Sequence, residues 1–219
     1  MRRGTIHINP TSRNNKIVNR TSHLVNPKMK LVFATHNLNK LKEVQELVPS
    51  HIELLSLTDI NCYDDIPETE PTIEGNAKLK ADYVRNNYGL NCFADDTGLE
   101  VLALDGAPGV FSARYAGPEN NAEANMAKLL QNLEDKEDRS AQFKTVIALS
   151  LNNSEMSFTG ICEGKIIEQA RGEKGFGYDP IFQPNGYQQT FAEISSEEKG
   201  RISHRGKAIR QLISYLNEL

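Results

Sequence analysis

Long hydrophobic runs are missing from this 219-residue sequence. No apolar stretch approaches the roughly 20 residues that are needed to cross a bilayer, and none near the N-terminus resembles the apolar core of a secretory signal. Cysteine is also scarce, because Cys62, Cys92 and Cys162 are the only three, are widely spaced and form no CxxC pair. A disulfide framework or a zinc site is therefore not expected, and the pattern is typical of a protein of the reducing cytoplasm.

Acidic residues are absent from residues 1–28, which hold six of the 25 Lys and Arg residues. We interpret this polar segment as a disordered basic extension or as sequence upstream of a natural start at Met29, with an Arg-rich transit peptide as a third reading. The remaining 19 basic residues face 29 acidic ones. A body this acidic is a poor non-specific ligand for nucleic acid. We therefore assign a single domain to residues 29–219 and expect neither a nucleic-acid nor a membrane partner.

The glycines and GK[ST] ending of a Walker A loop are also missing, but a related geometry is predicted near the start of the domain. An apolar strand, Lys30 to Ala34, runs into Thr35-His36-Asn37-Leu38-Asn39-Lys40 and then a helix. Such a junction binds phosphate through free backbone N–H groups and the positive end of the helix dipole. Lys40 is a cation where a helix start favours an acid, and a bound polyphosphate would account for it. The alternative is an ordinary capped helix.

Two adjacent carboxylates, Asp95 and Asp96, are predicted to end a short strand, Cys92 to Asp95, at a turn. Buried acids need a metal ion, a basic partner or solvent beside them. Because side chains alternate along a strand, the two acids should point to opposite sides, so that only one faces a ligand. The alternative is an acidic turn in which one of them caps the next element.

Two further segments carry candidate binding residues. Glycines around two aromatics in Gly172–Pro180 would let the backbone approach a flat ligand while Phe176 or Tyr178 stacks on it, unless this is a glycine-rich connection with core aromatics. Ser203 is predicted to cap the closing helix, with His204 and Arg205 in its first turn. These two would again be cations at the wrong pole of a helix, as expected if the protein holds an anion.

The remaining elements are predicted from periodicity. The acidic loop Asp64–Pro71 is expected to be solvated, although one of its acids could reach a metal ion. On the helix that follows, Lys80 is expected to be solvated, with a side chain that snorkels toward the cleft as the alternative. That helix should bury Ile73, Ala77, Ala81, Val84 and Tyr88. The other predicted elements are strands at Ile52–Leu57, Leu99–Leu104 and Val110–Tyr115, a helix from about Asn121 to Leu133, and a β-hairpin of Gln142–Leu151 and Met156–Ile167.

Six short motifs occur in an order that is specific in combination. They are Thr35-His36-Asn37-x-x-Lys40-x-x-Glu43, Asp95-Asp96-Thr97-Gly98, Gly106-Ala107-Pro108-Gly109, Ser112-Ala113-Arg114-Tyr115, Gly175-Phe176-Gly177-Tyr178-Asp179-Pro180 and Ser203-His204-Arg205. Together they resemble the inosine/xanthosine triphosphate pyrophosphatase family, the house-cleaning Ham-type NTPases, from about Met29 to the C-terminus.

The resemblance implies a fold and an activity. The fold would be α/β, a long mixed β-sheet with helices and two lobes flanking a deep nucleotide-binding cleft, assembled as a homodimer. The activity would be that of a nucleoside triphosphate pyrophosphatase, a hydrolase that uses Mg²⁺ to convert the deaminated purine nucleotides ITP, dITP and XTP to the monophosphate and pyrophosphate.

The resemblance also implies residue roles. Glu68 and Asp96 would hold the metal, and Asp96 would be the general base. Substrate-binding positions would be Thr35, His36, Asn37, Leu38, Asn39 and Lys40 in the triphosphate loop, Thr97 directly after the two acids, Phe176, Gly177, Tyr178 and Asp179 in the base segment, Lys199, and the base-reading pair His204 and Arg205. His36 stands where relatives commonly have glycine, and Thr97 where many have serine.

Two other functions remain open at this point. One is a pyrophosphatase for pyrimidine or other modified nucleoside triphosphates on a related fold. The other is a non-catalytic nucleotide-sensing or RNA-binding module that uses the basic N-terminal segment.

Overall fold

The computed structural model describes Met1 and residues 28–218. Residues 2–27, almost all of the predicted basic extension, lie outside the described part. The strands of the described residues are β1 Met29–Phe33, β2 Ile52–Ser56, β3 Cys92–Val101, β4 Pro108–Gly109, β5 Ser140–Leu151, β6 Ser154–Ile166 and β7 Phe182–Pro184. The α-helices are α1 Leu38–Gln45, α2 Ile73–Tyr88, α3 Ala122–Asn132, α4 Ser196–Ile202 and α5 His204–Asn217.

The strands form one mixed sheet in the order β2-β1-β3-β5-β6-β7, with β4 paired to β3. Strands β2, β1 and β3 are parallel, whereas β3, β5, β6 and β7 are antiparallel. The predicted hairpin is confirmed, since β5 and β6 are joined at Asn152 and Asn153, which have φ values of 49° and 66°. Asparagine tolerates this left-handed conformation, which the two central residues of a tight hairpin require.

Two of the four hydrophobic clusters of the described residues lie at opposite ends of the long central strands. One contains Phe33 stacked on Phe93, with ring centroids 4.6 Å apart, and is covered by α5. The other contains Phe143, Phe182 and Phe191 and is covered by α3. Because β3 and β5 run through both cores, the α/β fold has two lobes on one continuous sheet, as expected.

The helix starts follow the sequence closely. Ser203 caps α5 by accepting from the backbone N–H of Gly206, as predicted, and Asn121 and Thr72 cap α3 and α2 in the same way. Helix α2 buries the predicted stripe of Ile73, Ala77, Ala81 and Val84, although Tyr88 is only half-buried.

The predicted turn after Asp95 is wrong, because β3 continues to Val101. Strand β5 pairs with β3 from Cys92, opposite Ser150, to Val101, opposite Ala141. Gly98 lies inside β3, where a Cβ atom would come within 2.7 Å of the carbonyl oxygen of Gly109. This glycine therefore allows β4 to approach closely and does not form a turn.

Of the two strands predicted beyond this point, the first is confirmed only over its first three residues and the second is wrong. Leu99 to Val101 belong to β3, and Leu102–Leu104 and Ser112–Arg114 are 3₁₀ turns that flank the two-residue β4. In the first of these turns Ala103 and Leu104 are partly buried against the core, whereas Leu102 is 69% exposed. Periodicity alone does not separate such turns from short strands.

Gly160 fixes how closely α5 lies on the sheet. A Cβ atom there would be 2.0 Å from the carbonyl oxygen of His204 and 2.7 Å from the backbone nitrogen of Ala208. We expect Gly160→Ala to push α5 away and to lower the free energy of unfolding by about 3 kcal/mol, seen as a drop in Tm of roughly 6–12 °C.

Thr159→Ala is the matched control, since Thr159 is the neighbouring residue of β6 and is exposed. Thermal melts should leave the Thr159 variant within a few degrees of the parent protein. Equal Tm values for the Gly160 variant and the parent protein would contradict this account of how α5 packs on the sheet.

Candidate active site

One cleft of about 640 Å³ brings together the residues that the sequence singled out. Its lining includes Thr35, His36, Asn37, Asn39, Lys40, Glu68, Asp96, Thr97, Phe176, Gly177, Tyr178, Asp179, Lys199, His204 and Arg205. Leu38 is the exception, because it does not line the cleft and its side chain is 77% exposed.

The loop before α1 is held by its own side chains. Asn37 Oδ1 accepts hydrogen bonds from the backbone N–H groups of Asn39 at 3.0 Å and Lys40 at 3.2 Å, and so caps the helix. Thr35 Oγ1 accepts from the N–H of Asn37 at 3.1 Å. His36 Nε2 lies 2.9 Å from the carbonyl oxygen of Asp64, which ties this loop to the acidic loop that carries Glu68.

Asp95 is a buried partner for two cations. Its Oδ1 accepts from Lys40 Nζ at 2.9 Å and its Oδ2 from Arg205 Nε at 3.0 Å, and the side chain is 1% exposed. Burial alone would raise the pKa of Asp95, but the charges of Lys40 and Arg205 hold it well below its ordinary value. Asp95 is therefore ionised and joins α1 to α5 through β3.

Asp96 faces the cleft, whereas Asp95 does not line it. This division confirms the alternation expected along a strand. Burial raises the pKa of Asp96 above its ordinary value, although the charges of Lys80 and Lys40 oppose that shift. Lys80 Nζ lies 3.3 Å from Asp96 Oδ1 and 2.7 Å from Glu68 Oε1, so one ammonium group bridges the two acids.

Glu68 and Asp96 fit a magnesium site in which the protein supplies two ligands and the substrate supplies others. Their carboxylates are hard oxygen donors, and their convergence on Lys80 shows that this point favours a positive charge. Within the described residues, no three His, Cys, Asp or Glu side chains form a metal-binding group. Mg²⁺ commonly takes one or two carboxylates and fills its other positions with waters and substrate phosphates. Two protein ligands are therefore compatible with that ion.

His204 and Arg205 have different environments despite being neighbours. His204 is 3% exposed, stacks on Phe143 with centroids 4.6 Å apart, and its Nδ1 is buried with no hydrogen-bond partner among the described residues. Burial, reinforced by the charge of Arg205, lowers the pKa of His204 well below its ordinary value. The imidazole is therefore neutral near pH 7.

Arg205 is engaged on every nitrogen of its guanidinium. Nε donates to Asp95, Nη1 to Glu43, and Nη2 to Thr97 Oγ1 at 3.2 Å. The group also lies over the Phe176 ring, 5.6 Å from its centroid. Arg205 thus holds three elements of the cleft in place.

Lys199 anchors the glycine-rich segment. Its Nζ lies 2.6 Å from both Glu43 Oε1 and Asp179 Oδ2, and 5.0 Å from the Phe176 ring centroid. Asp179 Oδ2 also accepts from the backbone N–H of Phe176 at 2.8 Å. At Gly175, with φ of 75°, a Cβ atom would be 2.0 Å from Asp179 Oδ2, so only glycine permits this turn.

Tyr178 is fixed to the opposite side of the cleft. Its hydroxyl donates to the carbonyl oxygen of Ser112 at 2.8 Å, and its side chain is buried in the second core. Of the two aromatic rings in this segment, Phe176 is the more accessible for stacking, since Tyr178 is 4% exposed and Phe176 is half-buried.

The structure corrects the interpretation of the cations at the helix starts. Lys40 and Arg205 both contact Asp95, so a carboxylate of the protein accounts for them without a bound anion. His204 is not a cation at all near neutral pH.

Three residues of the cleft network were missed or misjudged. Lys80 was expected to be solvated but is 7% exposed, and its spacing from Ile73, Ala77 and Val84 places it on the buried stripe. That spacing was available in the sequence. Glu43 is part of one of the six sequence motifs but had no assigned role, although it pairs with Lys199 and Arg205. Arg114 also had no assigned role, and its Nη1 lies 3.3 Å from Glu68 Oε2.

The contrast between the adjacent acids gives a test of stability. Asp95→Asn leaves Lys40 and Arg205 buried without their shared charge partner, so we expect the free energy of unfolding to fall by about 3–5 kcal/mol. Asp96→Asn is the matched control. It removes a charge that burial disfavours, so its stability should equal or exceed that of the parent. Denaturant melts measure both, and equal losses in the two variants would contradict the distinction.

Comparisons with known proteins identify the relatives of this chain. The model of the Ham1 family matches residues 31–215. A protein of Christiangramia forsetii named dITP/XTP pyrophosphatase is 64% identical over 190 residues, which cover 87% of this chain and 100% of that protein. A protein of the same name from Flavobacterium psychrophilum is 62% identical over 187 residues, covering 85% and 98%.

Solved structures lead to the same family. A HAM1 protein from Coxiella burnetii superposes with a TM-score of 0.81 at 43% identity, covering 87% of this chain and 100% of that one. The Ham1 protein of Staphylococcus aureus gives a TM-score of 0.79 at 39% identity, covering 86% and 98%. With the family model, the relatives and the solved structures in agreement over nearly all of the described residues, the chain belongs to the Ham1 family.

Proposed function

We propose that this protein is a nucleoside triphosphate pyrophosphatase that hydrolyses ITP, dITP and XTP to the monophosphate and pyrophosphate, and so removes deaminated purines from the nucleotide pool. The observation that carries the proposal is the single cleft that contains the loop before α1, the Glu68–Asp96 pair and the Phe176–Asp179 segment. A relative that is 64% identical bears the name dITP/XTP pyrophosphatase.

The charge balance of the cleft supports a need for Mg²⁺. Lys40 is paired with Asp95, Lys80 with Asp96 and Glu68, and both Lys199 and Arg205 with Glu43. The cations that line the cleft are thus already offset by carboxylates of the protein. A triphosphate brings further negative charge, which needs additional positive charge beside it.

Glu68 and Asp96 would hold the ion. Bound there, Mg²⁺ would offset the negative charge of the phosphates and make a neighbouring water more acidic. Asp96 would orient the attacking water and accept its proton. Attack at the α-phosphorus would release pyrophosphate, and Lys40 would contact the phosphates from the first turn of α1.

His204 is the better candidate of the pair for reading the base. Each guanidinium nitrogen of Arg205 already donates one hydrogen bond, whereas Nδ1 of the neutral His204 has no partner among the residues that the structure describes. A donor at this ring would match the 6-oxo group of hypoxanthine or xanthine and would be mismatched by the amino group of adenine. Polar mismatches of this kind give discrimination of up to roughly 10⁴-fold. In this scheme Phe176 stacks on the base, and Arg205 and Lys199 hold the ring of Phe176 in place.

We further propose that residues 29–219 act as one domain, that the protein is a homodimer, and that it works in the cytoplasm. Among the described residues, no helix is both long and apolar enough to span a membrane.

Size-exclusion chromatography with light scattering tests the assembly, and a molar mass of about twice that of one chain is expected.

A panel of nucleoside triphosphates with a pyrophosphate readout tests the activity. We expect ITP, dITP and XTP to exceed ATP in kcat/KM by at least about 100-fold because of the 6-oxo group. Asp96→Asn, which should fold normally, is expected to lower kcat by roughly 10²–10⁴-fold. Equal turnover of ATP and ITP would contradict the specificity, and preference for dUTP or modified pyrimidines would favour the alternative enzyme. Tight binding without turnover would favour a nucleotide-binding module.

A separate variant pair tests the metal ligand on the acidic loop. Glu68→Gln should raise the Mg²⁺ concentration for half-maximal activity by at least about tenfold. Loss of a metal ligand lowers the affinity for the ion at least as much as loss of a residue that only supports a ligand, which costs about tenfold or more. Glu70→Gln is the control, because Glu70 lies on the same loop outside the cleft lining. Magnesium titrations in excess ITP measure the effect, and identical curves for both variants would remove Glu68 from the proposed site.

A further inference from the structure

Two threonine hydroxyls meet across the central strands. Thr97 of β3 lies directly opposite Thr145 of β5, and their Oγ1 atoms are 2.7 Å apart. Thr97 lines the cleft, whereas Thr145 does not line it and has no solvent-exposed surface. Thr145 can therefore affect a bound ligand only indirectly, by way of the Thr97 hydroxyl.

The neighbours of Thr97 restrict the direction of its hydrogen. Arg205 Nη2 lies 3.2 Å from Thr97 Oγ1 and can only donate. Asp95 Oδ2 lies 3.4 Å from the same oxygen and, as an ionised carboxylate, can only accept. Thr97 thus accepts one bond from Arg205, and its hydrogen points either to Asp95 or to Thr145.

The burial of Thr145 separates these alternatives. Its hydroxyl has no hydrogen-bond partner other than Thr97 among the described residues. If Thr97 donated to it, the hydrogen of Thr145 would be left in the interior without an acceptor, which is costly. If Thr145 donates, it fills the second lone pair of Thr97 and every polar group in the set is paired.

The hydroxyl hydrogen of Thr97 is then left to point at Asp95, the most distant of its three hydrogen-bond partners. The 3.4 Å separation from Asp95 is beyond the usual range for a hydroxyl donor, and Asp95 already accepts from Lys40 and Arg205. A phosphate oxygen in the cleft would be a better acceptor. We propose that Thr145 is a positioning residue that donates to Thr97 and so directs the hydroxyl hydrogen of Thr97 toward the triphosphate. This inference rests on the proposed function.

Steady-state kinetics with ITP and saturating Mg²⁺ test the proposal. Thr145→Val keeps the shape of the side chain and removes the hydroxyl, so KM should rise about threefold to tenfold, the effect of one neutral hydrogen bond, while kcat stays within twofold. Thr145→Ser keeps the hydroxyl and should restore KM to within twofold of the parent value. A loss confined to kcat, an unchanged KM in Thr145→Val, or a serine variant as impaired as the valine variant would overturn it.

A double-mutant cycle distinguishes action through Thr97 from a general packing effect. In a Thr97→Val background, Thr145→Val should change KM less than twofold, because the hydroxyl that it orients is gone. The same multiplicative rise in both backgrounds would overturn the proposal. If Thr145→Val does not fold, as judged by its thermal melt, Thr145→Ala takes its place in the cycle.

The outcome is separable from that of the proposed function. If the parent protein releases no pyrophosphate from ITP, the proposed function has failed. The positioning role then falls with it. If the parent is active and the cycle is additive, only the role of Thr145 has failed.

Discussion

Asp95 accepts hydrogen bonds from Lys40 and Arg205 in the interior, and through this one carboxylate β3 connects the first turns of α1 and α5. Each helix start carries a positive partial charge, so a cation there is unfavourable unless an anion lies beside it. Asp95 supplies that anion for both helices. Its own burial is tolerated because two cations and their hydrogen bonds offset the cost of desolvation.

The network extends from this carboxylate to the walls of the cleft. Glu43 of α1 contacts Lys199 of α4 and Arg205 of α5, and Lys199 continues to Asp179 in the glycine-rich segment. Side chains from four separate parts of the chain are thereby fixed relative to one another. Because these groups satisfy one another, the cleft can keep many charges in place before any substrate arrives, which is the condition for electrostatic preorganisation.

Strand alternation gives the second acid a different role. Asp96 is next to Asp95 in sequence but faces the cleft, where Lys80 and Glu68 are its neighbours. A carboxylate that lines the cleft suits proton transfer, whereas a buried, ion-paired carboxylate with a lowered pKa suits structure. The two environments differ because adjacent residues of a strand project to opposite sides.

Much of this arrangement could be predicted from the sequence, since helix caps such as Ser203 and the β5–β6 hairpin depend on local chemistry. The opposite orientation of Asp95 and Asp96 needs only the strand period. The continuation of β3 past Asp95 could not be predicted, because pairing with β5 decides it over a turn-like local sequence. The partners of Lys40 and Arg205 depend on contacts 55 and 110 residues apart, which no local pattern contains.

The division of labour between the two acids is the central claim, and a crystal structure with Mg²⁺ and a non-hydrolysable ITP analogue tests it most directly. The account predicts that Asp96 and Glu68 coordinate the ion, with Asp95 still paired to Lys40 and Arg205. An ion coordinated by Asp95, with Asp96 directed away from the phosphates, would contradict it.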